Sequence, residues 1–237
     1  MKRLLTSSLA MLCMYATQAQ ENPGPKMTKS MAPKTKIGSV YFSTQMDGYI
    51  LSTAMYGDTK PGNSNIGTPR FTAFLHIGAT AHINFNSHVG LFSGLGIKNI
   101  GFIEKFDNSD STVKRRVYTI GLPLGLKVGN MFGNYAMIGG GVDFPFHFKE
   151  KGFVKRSNKV KEGEWFGQQT AAVMPYVFVG AHFKPGINVK LQYYPTNFLN
   201  QDYQKTVNGV TTQPYANYEV NLAMVTLGID IPYRPKN

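Results

Sequence analysis

Four histidines lie on the polar faces of predicted strands, and they are the first candidates for metal or acid–base chemistry. They are His76, His82, His147 and His182. A shared metal ion needs two ligands within a few ångströms of each other, but His76 and His82 stand ~20 Å apart along one predicted strand. We therefore expect these side chains to make hydrogen bonds in the interior, and we predict neither a metal nor a cofactor.

Nucleophilic catalysis would need a hydroxyl or thiol beside a general base. Segment 107–111 reads Asp-Asn-Ser-Asp-Ser, and no histidine lies close to it in the sequence. The one cysteine, Cys13, falls in an N-terminal segment that we expect to be removed. The mature chain then has no thiol for a disulfide, a zinc site or cysteine catalysis. The sequence predicts that the protein is not an enzyme.

Small or polar residues, some of them charged, alternate with apolar ones along the predicted strands. From Tyr118 to Val128 every second residue is apolar or aromatic, and the residues between them are Thr, Gly, Pro, Gly and Lys. This period of two is typical of a strand with one apolar and one polar face. Three basic and three acidic residues fall on the polar faces, which predicts a network of paired charges in a narrow interior. They are Lys98, Lys127, Asp143, Lys190, Glu219 and Asp230.

A basic stretch from Lys149 to Gln169 is predicted to be a long loop. An anionic polysaccharide or a protein partner could be held there, and a simply solvated loop explains the same composition equally well. Trp165 alternatively marks the point where the chain re-enters a membrane interface. The predicted contact residues are Lys155, Arg156, Lys159, Lys161 and Trp165.

Composition and the N-terminus indicate an exported chain. Only 16% of the 237 residues are charged, which is low for a soluble protein, and the net charge is +12. A basic start, a short apolar run and an Ala-Gln exit predict a signal peptide over residues 1–20. A flexible segment over 21–36 and one domain over 37–233 follow. Outer-membrane lipid suits this compartment as a partner, whereas nucleic acid does not.

The order of the connections between strands predicts the fold. No segment has eighteen consecutive apolar residues, so a chain that crosses a membrane must do so as a closed barrel. Long connections beginning near Gln45, Glu104, Lys149 and Asn197 alternate with short turns. This alternation is typical of membrane barrels, which have tight turns at one rim and longer loops at the other. We predict an all-β, eight-stranded antiparallel up-and-down transmembrane β-barrel in the outer membrane of a Gram-negative bacterium.

Two strands resemble a known family. The segment Tyr118 to Lys127 is similar to the "aromatic-x-Ile-Pro-Leu-x-Leu-Lys" strand of the outer-membrane β-barrel domain family, which includes PorT-like and OmpX-like small barrels. The segment Val89 to Gly96 is similar to that family's preceding glycine-rich strand. The resemblance implies a fold and a membrane, but no activity. The chain departs from the family at its end, because four residues follow Tyr233 where such barrels often stop on an aromatic residue.

The predicted role is structural or interactive: an integral membrane barrel that presents surface loops, with a lumen filled by polar side chains. A small-solute pore is one alternative. A soluble, lipocalin-like ligand-binding barrel is another, and it would place its apolar side chains inside.

Overall fold

The computed structural model describes residues 37–57, 66–106, 111–154 and 158–233. Their regular secondary structure consists of strands, and no helix among them is long and apolar enough to cross a membrane. The predicted signal peptide and the segment 21–36 lie outside the described residues. The strands are β1 (Val40–Tyr56), β2 (Arg70–Asn84), β3 (Val89–Phe106), β4 (Ser111–Gly129), β5 (Tyr135–Val154), β6 (Asn158–Trp165), β7 (Met174–Phe183), β8 (Ile187–Tyr194), β9 (Lys205–Val207), β10 (Val210–Thr212) and β11 (Val220–Pro232).

Eight of these strands form a closed antiparallel ring. The hydrogen-bonded order is β4-β3-β2-β1-β11-β8-β7-β5, and an additional β4–β5 pairing closes it. The predicted fold class is therefore confirmed. The other three strands lie outside the ring. β6 pairs with the C-terminal part of β5, and β9 pairs with β10 in a short hairpin.

The outer wall of the ring is apolar. On β4 the outward side chains from Val128 to Ile120 are all aliphatic, and Leu124 is 60% exposed. Ten residues of a strand rise by roughly 33 Å. Because the strands of a barrel are tilted, this length gives an apolar band tall enough to face the lipid. Aromatic rings border this band: exposed Phe71 and half-buried Tyr118 lie at one rim, and exposed Phe85, Phe183 and Tyr233 lie at the other. A soluble ligand-binding barrel has the opposite orientation, so that alternative is wrong.

Two irregularities reverse which face a strand presents. In β1 the register shifts between Asp47 and Tyr49. Odd-numbered Ser43 and Asp47 are buried before the shift, and even-numbered Ile50 and Ser52 after it. The pairing of β4 with β5 also shifts. Tyr118 of β4 pairs with His147 of β5, whereas the next β4 residue, Thr119, pairs with Pro145, so Phe146 is an extra residue in β5. That second shift turns His147 outward, so the prediction that all four histidines face inward is wrong for His147.

The two rims differ in the length of their connections. Residues 85–88, 130–134 and 184–186 are short turns at what we call the turn end. Residues 57–69, 155–173 and 195–219 connect strands at the opposite rim, the loop end. Three of the four predicted long connections begin later than predicted, and the fourth begins two residues before Asn197. The connection predicted to be long near Glu104 is reduced to residues 107–110, because β3 and β4 pair as far as Phe106 and Ser111. Most of the predicted basic loop is likewise a hairpin of β5 and β6.

The outward face of β4 provides a test of lipid contact. Replacing Leu124 by Lys places a charge in the middle of the apolar band, and the free energy of unfolding should fall by about 2–4 kcal/mol. Thr112→Lys, at the loop end of the same strand, is the matched control and should change it much less. Urea unfolding in lipid bilayers measures both variants. Equal losses would contradict a lipid-facing wall.

Candidate functional site

The centre of the barrel contains a buried ion pair. Lys98 Nζ lies 2.9 Å from Asp143 Oδ1, and Tyr194 donates a hydrogen bond of 2.7 Å to Asp143 Oδ2. The ammonium of Lys98 also lies 3.7 Å from the ring centroid of Tyr176. Asp143 and Tyr194 are almost completely buried. The alternating pattern places these side chains from β3, β5, β7 and β8 on the same inner surface.

A second acidic side chain lies beside this pair. Asp47 Oδ2 is 3.3 Å from Lys190 Nζ and 3.5 Å from His76 Nδ1. Gln45 donates a hydrogen bond of 3.1 Å to the other carboxylate oxygen. Each central lysine thus has its own carboxylate. The interior at this level holds two cation–carboxylate pairs and the imidazole of His76.

Neutral polar partners hold Lys127 near the turn end. Lys127 Nζ donates to Asn84 Oδ1 at 2.7 Å and to the Tyr41 hydroxyl at 3.1 Å. Asp230 lies at the same end, with its carboxylate 3.9 Å from His182 Nδ1. Lys127 and Asp230 therefore both lie in the interior but do not form an ion pair with each other.

Glu219 lies outside this network. It is exposed and directly precedes β11, and its carbonyl oxygen accepts a hydrogen bond from the Gly57 amide. The prediction that its side chain enters the lumen is wrong. The inward phase of β11 begins one residue later, at Val220.

An apolar layer fills the interior between the charged centre and the loop end. Phe102 packs edge-to-face against Phe198, with the ring centroids 5.4 Å apart. Phe198 belongs to the connection after β8, and its amide donates to the carbonyl oxygen of Val220. One loop therefore folds into the mouth of the barrel. The other buried members of the layer are Ile50, Ile100, Val117, Phe148 and Leu222.

Little empty space remains among the described interior side chains. A space of about 50 Å³ lies beside Asp47, His76, Lys98 and Tyr176. A second space of about 10 Å³ lies nearer the turn end, beside His82 and other interior residues. The larger one has room for a few water molecules, and the smaller one barely for one.

Between the apolar layer and the loop end, Arg115 of β4 links its strand to β3 and β5. Its guanidinium donates to Glu104 on β3 and, at 2.7 Å, to Glu150 on β5. The hydroxyl of Tyr215 donates to the same Glu150 oxygen at 3.3 Å. Sequence reasoning missed this cluster, because strands outside the lipid carry polar residues on both faces and give no apolar periodicity.

The connection between β8 and β11 is anchored by further polar contacts. Lys205 Nζ donates to both carboxylate oxygens of Glu162 on β6, at 2.7 and 2.8 Å. This hydrogen bond raises the pKa of the Lys205 ammonium. Burial raises the pKa of Tyr215, which stacks on Tyr203 at a centroid distance of 5.7 Å. The connection between β8 and β11 is thus bound to the β5–β6 hairpin, and we call these two segments the loop platform.

The predicted loop-contact residues are only partly described. Lys155 and Arg156 lie outside the described residues. Lys159 and Lys161 belong to β6, and Lys161 is exposed. Trp165 ends β6 and is 62% exposed, with its ring stacked on His147 at a centroid distance of 3.9 Å. Trp165 therefore lies at the lower end of the hairpin, level with Tyr118.

Comparisons with known proteins identify similar structures only. No family model matches the chain, and no curated protein matches it. Ail, the attachment invasion locus protein of Yersinia pestis, solved with the heparin analogue sucrose octasulfate, aligns over 82% of this chain and 99% of its own, at 12% identity and a TM-score of 0.38. Neisserial surface protein A aligns over 82% of this chain and 99% of its own, at 10% identity and a TM-score of 0.41. The barrel domain of Pseudomonas aeruginosa OprF aligns over 81% and 99%, at 9% identity and 0.29.

The construction of the barrel itself is more informative than this remote similarity. A closed ring, an apolar outer wall, polar inner positions and unequal rims are the features of outer-membrane barrels. The chain is therefore built as a small transmembrane β-barrel of the outer-membrane type. This agrees with the predicted location in a Gram-negative outer membrane.

The central ion pair can be tested by a double-mutant cycle. Replacing Asp143 by Asn leaves the buried Lys98 ammonium without its carboxylate and should lower the free energy of unfolding by about 3 kcal/mol. The variant Lys98→Met/Asp143→Asn removes both charges and should recover much of that loss. Unfolding in lipid bilayers measures the cycle. A single-variant loss below about 0.5 kcal/mol would contradict a desolvated pair.

Proposed function

We propose that the protein is a closed outer-membrane barrel that serves as a scaffold for its loop platform rather than as a pore. The observation that supports this proposal most directly is that side chains fill the interior. The charged pairs, the apolar layer around Phe102 and the inserted Phe198 follow one another along the barrel axis. Eight strands leave room for little more than such side chains.

The distribution of interior polarity supports a barrier to ions. Hydrated ions that enter from the turn end would meet paired charges and then a mostly apolar layer, in which the hydroxyl of Ser52 already donates to the Gly101 carbonyl oxygen. Passage through that layer would require an ion to shed its water, which costs many kcal/mol. A small-solute pore would instead need a continuous wet path past Ile100 and Phe102.

Conductance in planar bilayers separates the scaffold from the pore. The wild-type protein should insert without opening channels. The variant Phe102→Ala/Phe198→Ala removes both rings of the edge-to-face contact and should produce a measurable leak. Leu124→Ala, on the lipid face, is the control and should stay silent. Steady ion-selective channels in the wild type would overturn the closed barrel and favour the pore.

The partner class proposed for the loop end is an anionic polysaccharide or an acidic protein surface. The pairing of β5 with β6 continues beyond the lipid band to Val154 and Asn158. The sequence from 155 to 159, which we call the tip, contains Lys155, Arg156 and Lys159. These three cations stand within five residues of one another, which favours attraction of a polyanion from solution.

Retention on an immobilised sulfated polysaccharide tests the tip. The variant Lys155→Gln/Arg156→Gln/Lys159→Gln should elute at distinctly lower salt than the wild type, because surface ion pairs are screened by salt. Lys184→Gln, at the opposite rim, should elute with the wild type. Elution of the triple variant at the wild-type salt concentration would show that the tip does not recognise polyanions.

A further inference from the structure

The outer wall of the β5–β6 hairpin and the neighbouring part of β4 carries an ordered group of rings and cations. The register aligns Tyr118, His147 and Trp165 in one row across three strands. Trp165 stacks on His147, and Tyr118 lies 5.7 Å from His147 between ring centroids. We call these three residues the ring row. It lies at the upper border of the apolar band, where aromatic side chains meet lipid headgroups.

Cations lie directly above the ring row, on the same outward face. Arg116 pairs with Lys149 in the first position above it, and Lys114, Lys151 and Lys161 share the next. Lys149 Nζ lies 5.4 Å from the ring centroid of Tyr118. We call these five cations the basic rows. Lys149 and Lys151 face outward because the register shift in β5 exchanges the faces of that strand just below them.

The basic rows border an open space of about 750 Å³ on the outer side of the hairpin. Arg70 also borders this space and donates to Asn99 at 2.9 Å. Two carboxylates are near, and both are bound to other groups. Glu150 accepts from Arg115 and Tyr215, and Glu162 accepts from Lys205. The described part of the surface therefore has a strong excess of positive charge.

We propose that the ring row and the basic rows form a binding site for the phosphorylated headgroup of a glycolipid in the outer leaflet. Phosphate oxygens suit both guanidinium and ammonium donors. The rings suit the boundary between acyl chains and sugar. The proposal rests on the membrane orientation of the barrel but not on the closure of its lumen.

The position of the site favours a lipid over a soluble polyanion. Arg116 and Lys149 lie two residues along their strands from Tyr118 and His147 of the ring row, on the side of the loop end. Their cations therefore lie at headgroup height. A lipid anchored by its acyl chains presents its phosphate at that height along the barrel wall. Gly163 occupies the β6 position beside Lys149, and its missing side chain leaves room for a sugar to approach the strand.

The only tryptophan of the chain, Trp165, is a native reporter for this site. The folded protein is placed in phosphatidylcholine nanodiscs, and bisphosphorylated lipid A is titrated while Trp165 fluorescence is recorded. Lipid A should shift the emission. Dephosphorylated lipid A with the same acyl chains should shift it much less.

Charge-neutral variants test the cations. Lys149→Gln should weaken lipid A binding roughly 5-fold, and Arg116→Gln/Lys149→Gln roughly 30-fold. Lys184→Gln, which makes the same change at the turn end, should bind as the wild type does. Heat-modifiable migration on a detergent gel establishes that each variant is folded, and Lys149→Gln alone decides the question if the double variant does not fold.

Three outcomes would overturn the proposal. Dephosphorylated lipid A could shift Trp165 as strongly as lipid A, or the folded Lys149→Gln variant could retain the wild-type affinity. Inorganic phosphate or a soluble sulfated polysaccharide could also displace the lipid completely at millimolar concentration, which would identify a soluble anion as the occupant. None of these results depends on conductance, so failure of the site and failure of the closed scaffold are distinguishable.

Discussion

Backbone hydrogen bonding in lipid is the constraint on which this structure depends. The hydrocarbon core has no water to satisfy amide and carbonyl groups, so a sheet that crosses it cannot have free edges. The pairing of β1 with β11 and of β4 with β5 removes those edges. Closure with eight strands then fixes a narrow interior. Small residues in the wall make room for long interior side chains: a Cβ on Gly121 would collide with both Asp143 and Lys98.

The narrow interior also explains how its charges are arranged. A buried ion is costly unless a partner compensates for lost hydration. Lys98 and Lys190 are compensated by carboxylates, and Lys127 by an amide oxygen and a phenol. Paired charges lie at the centre and the turn end, and the apolar layer around Phe102 separates them from the cluster of Arg115, Glu104 and Glu150 nearer the loop end. This division lets the loops dock against a dry layer at the mouth instead of covering a hydrated channel.

Period-two alternation, read together with the order of long and short connections, was sufficient to predict the lipid face and the ring of eight strands. It failed where the strand departs from strict alternation. The shift after Asp47 lies in a stretch where the sequence predicted a long connection beginning near Gln45, so Asp47 was missed as a partner of Lys190. The shift at Phe146 put His147 on the wrong face, because strict alternation was carried through the bulge. Glu219 was misplaced because β11 keeps one phase along its length. Its even-numbered residues Val220, Leu222 and Met224 face the interior, and position 219 falls in the opposite phase.

Beyond the lipid, the same alternation separates charges of opposite sign. The inner face of the extended strands holds Glu104, Arg115, Glu150 and Glu162, where the acids bind Arg115 and Lys205. The outer face holds the basic rows. Because a strand points neighbouring residues to opposite sides, each acid adjacent in sequence to an outward lysine is turned away from it and bound elsewhere. The contacts that anchor the loops over the barrel therefore also withhold the carboxylates that would neutralise the outer wall, and the positive potential of that wall is a consequence of how the mouth is closed.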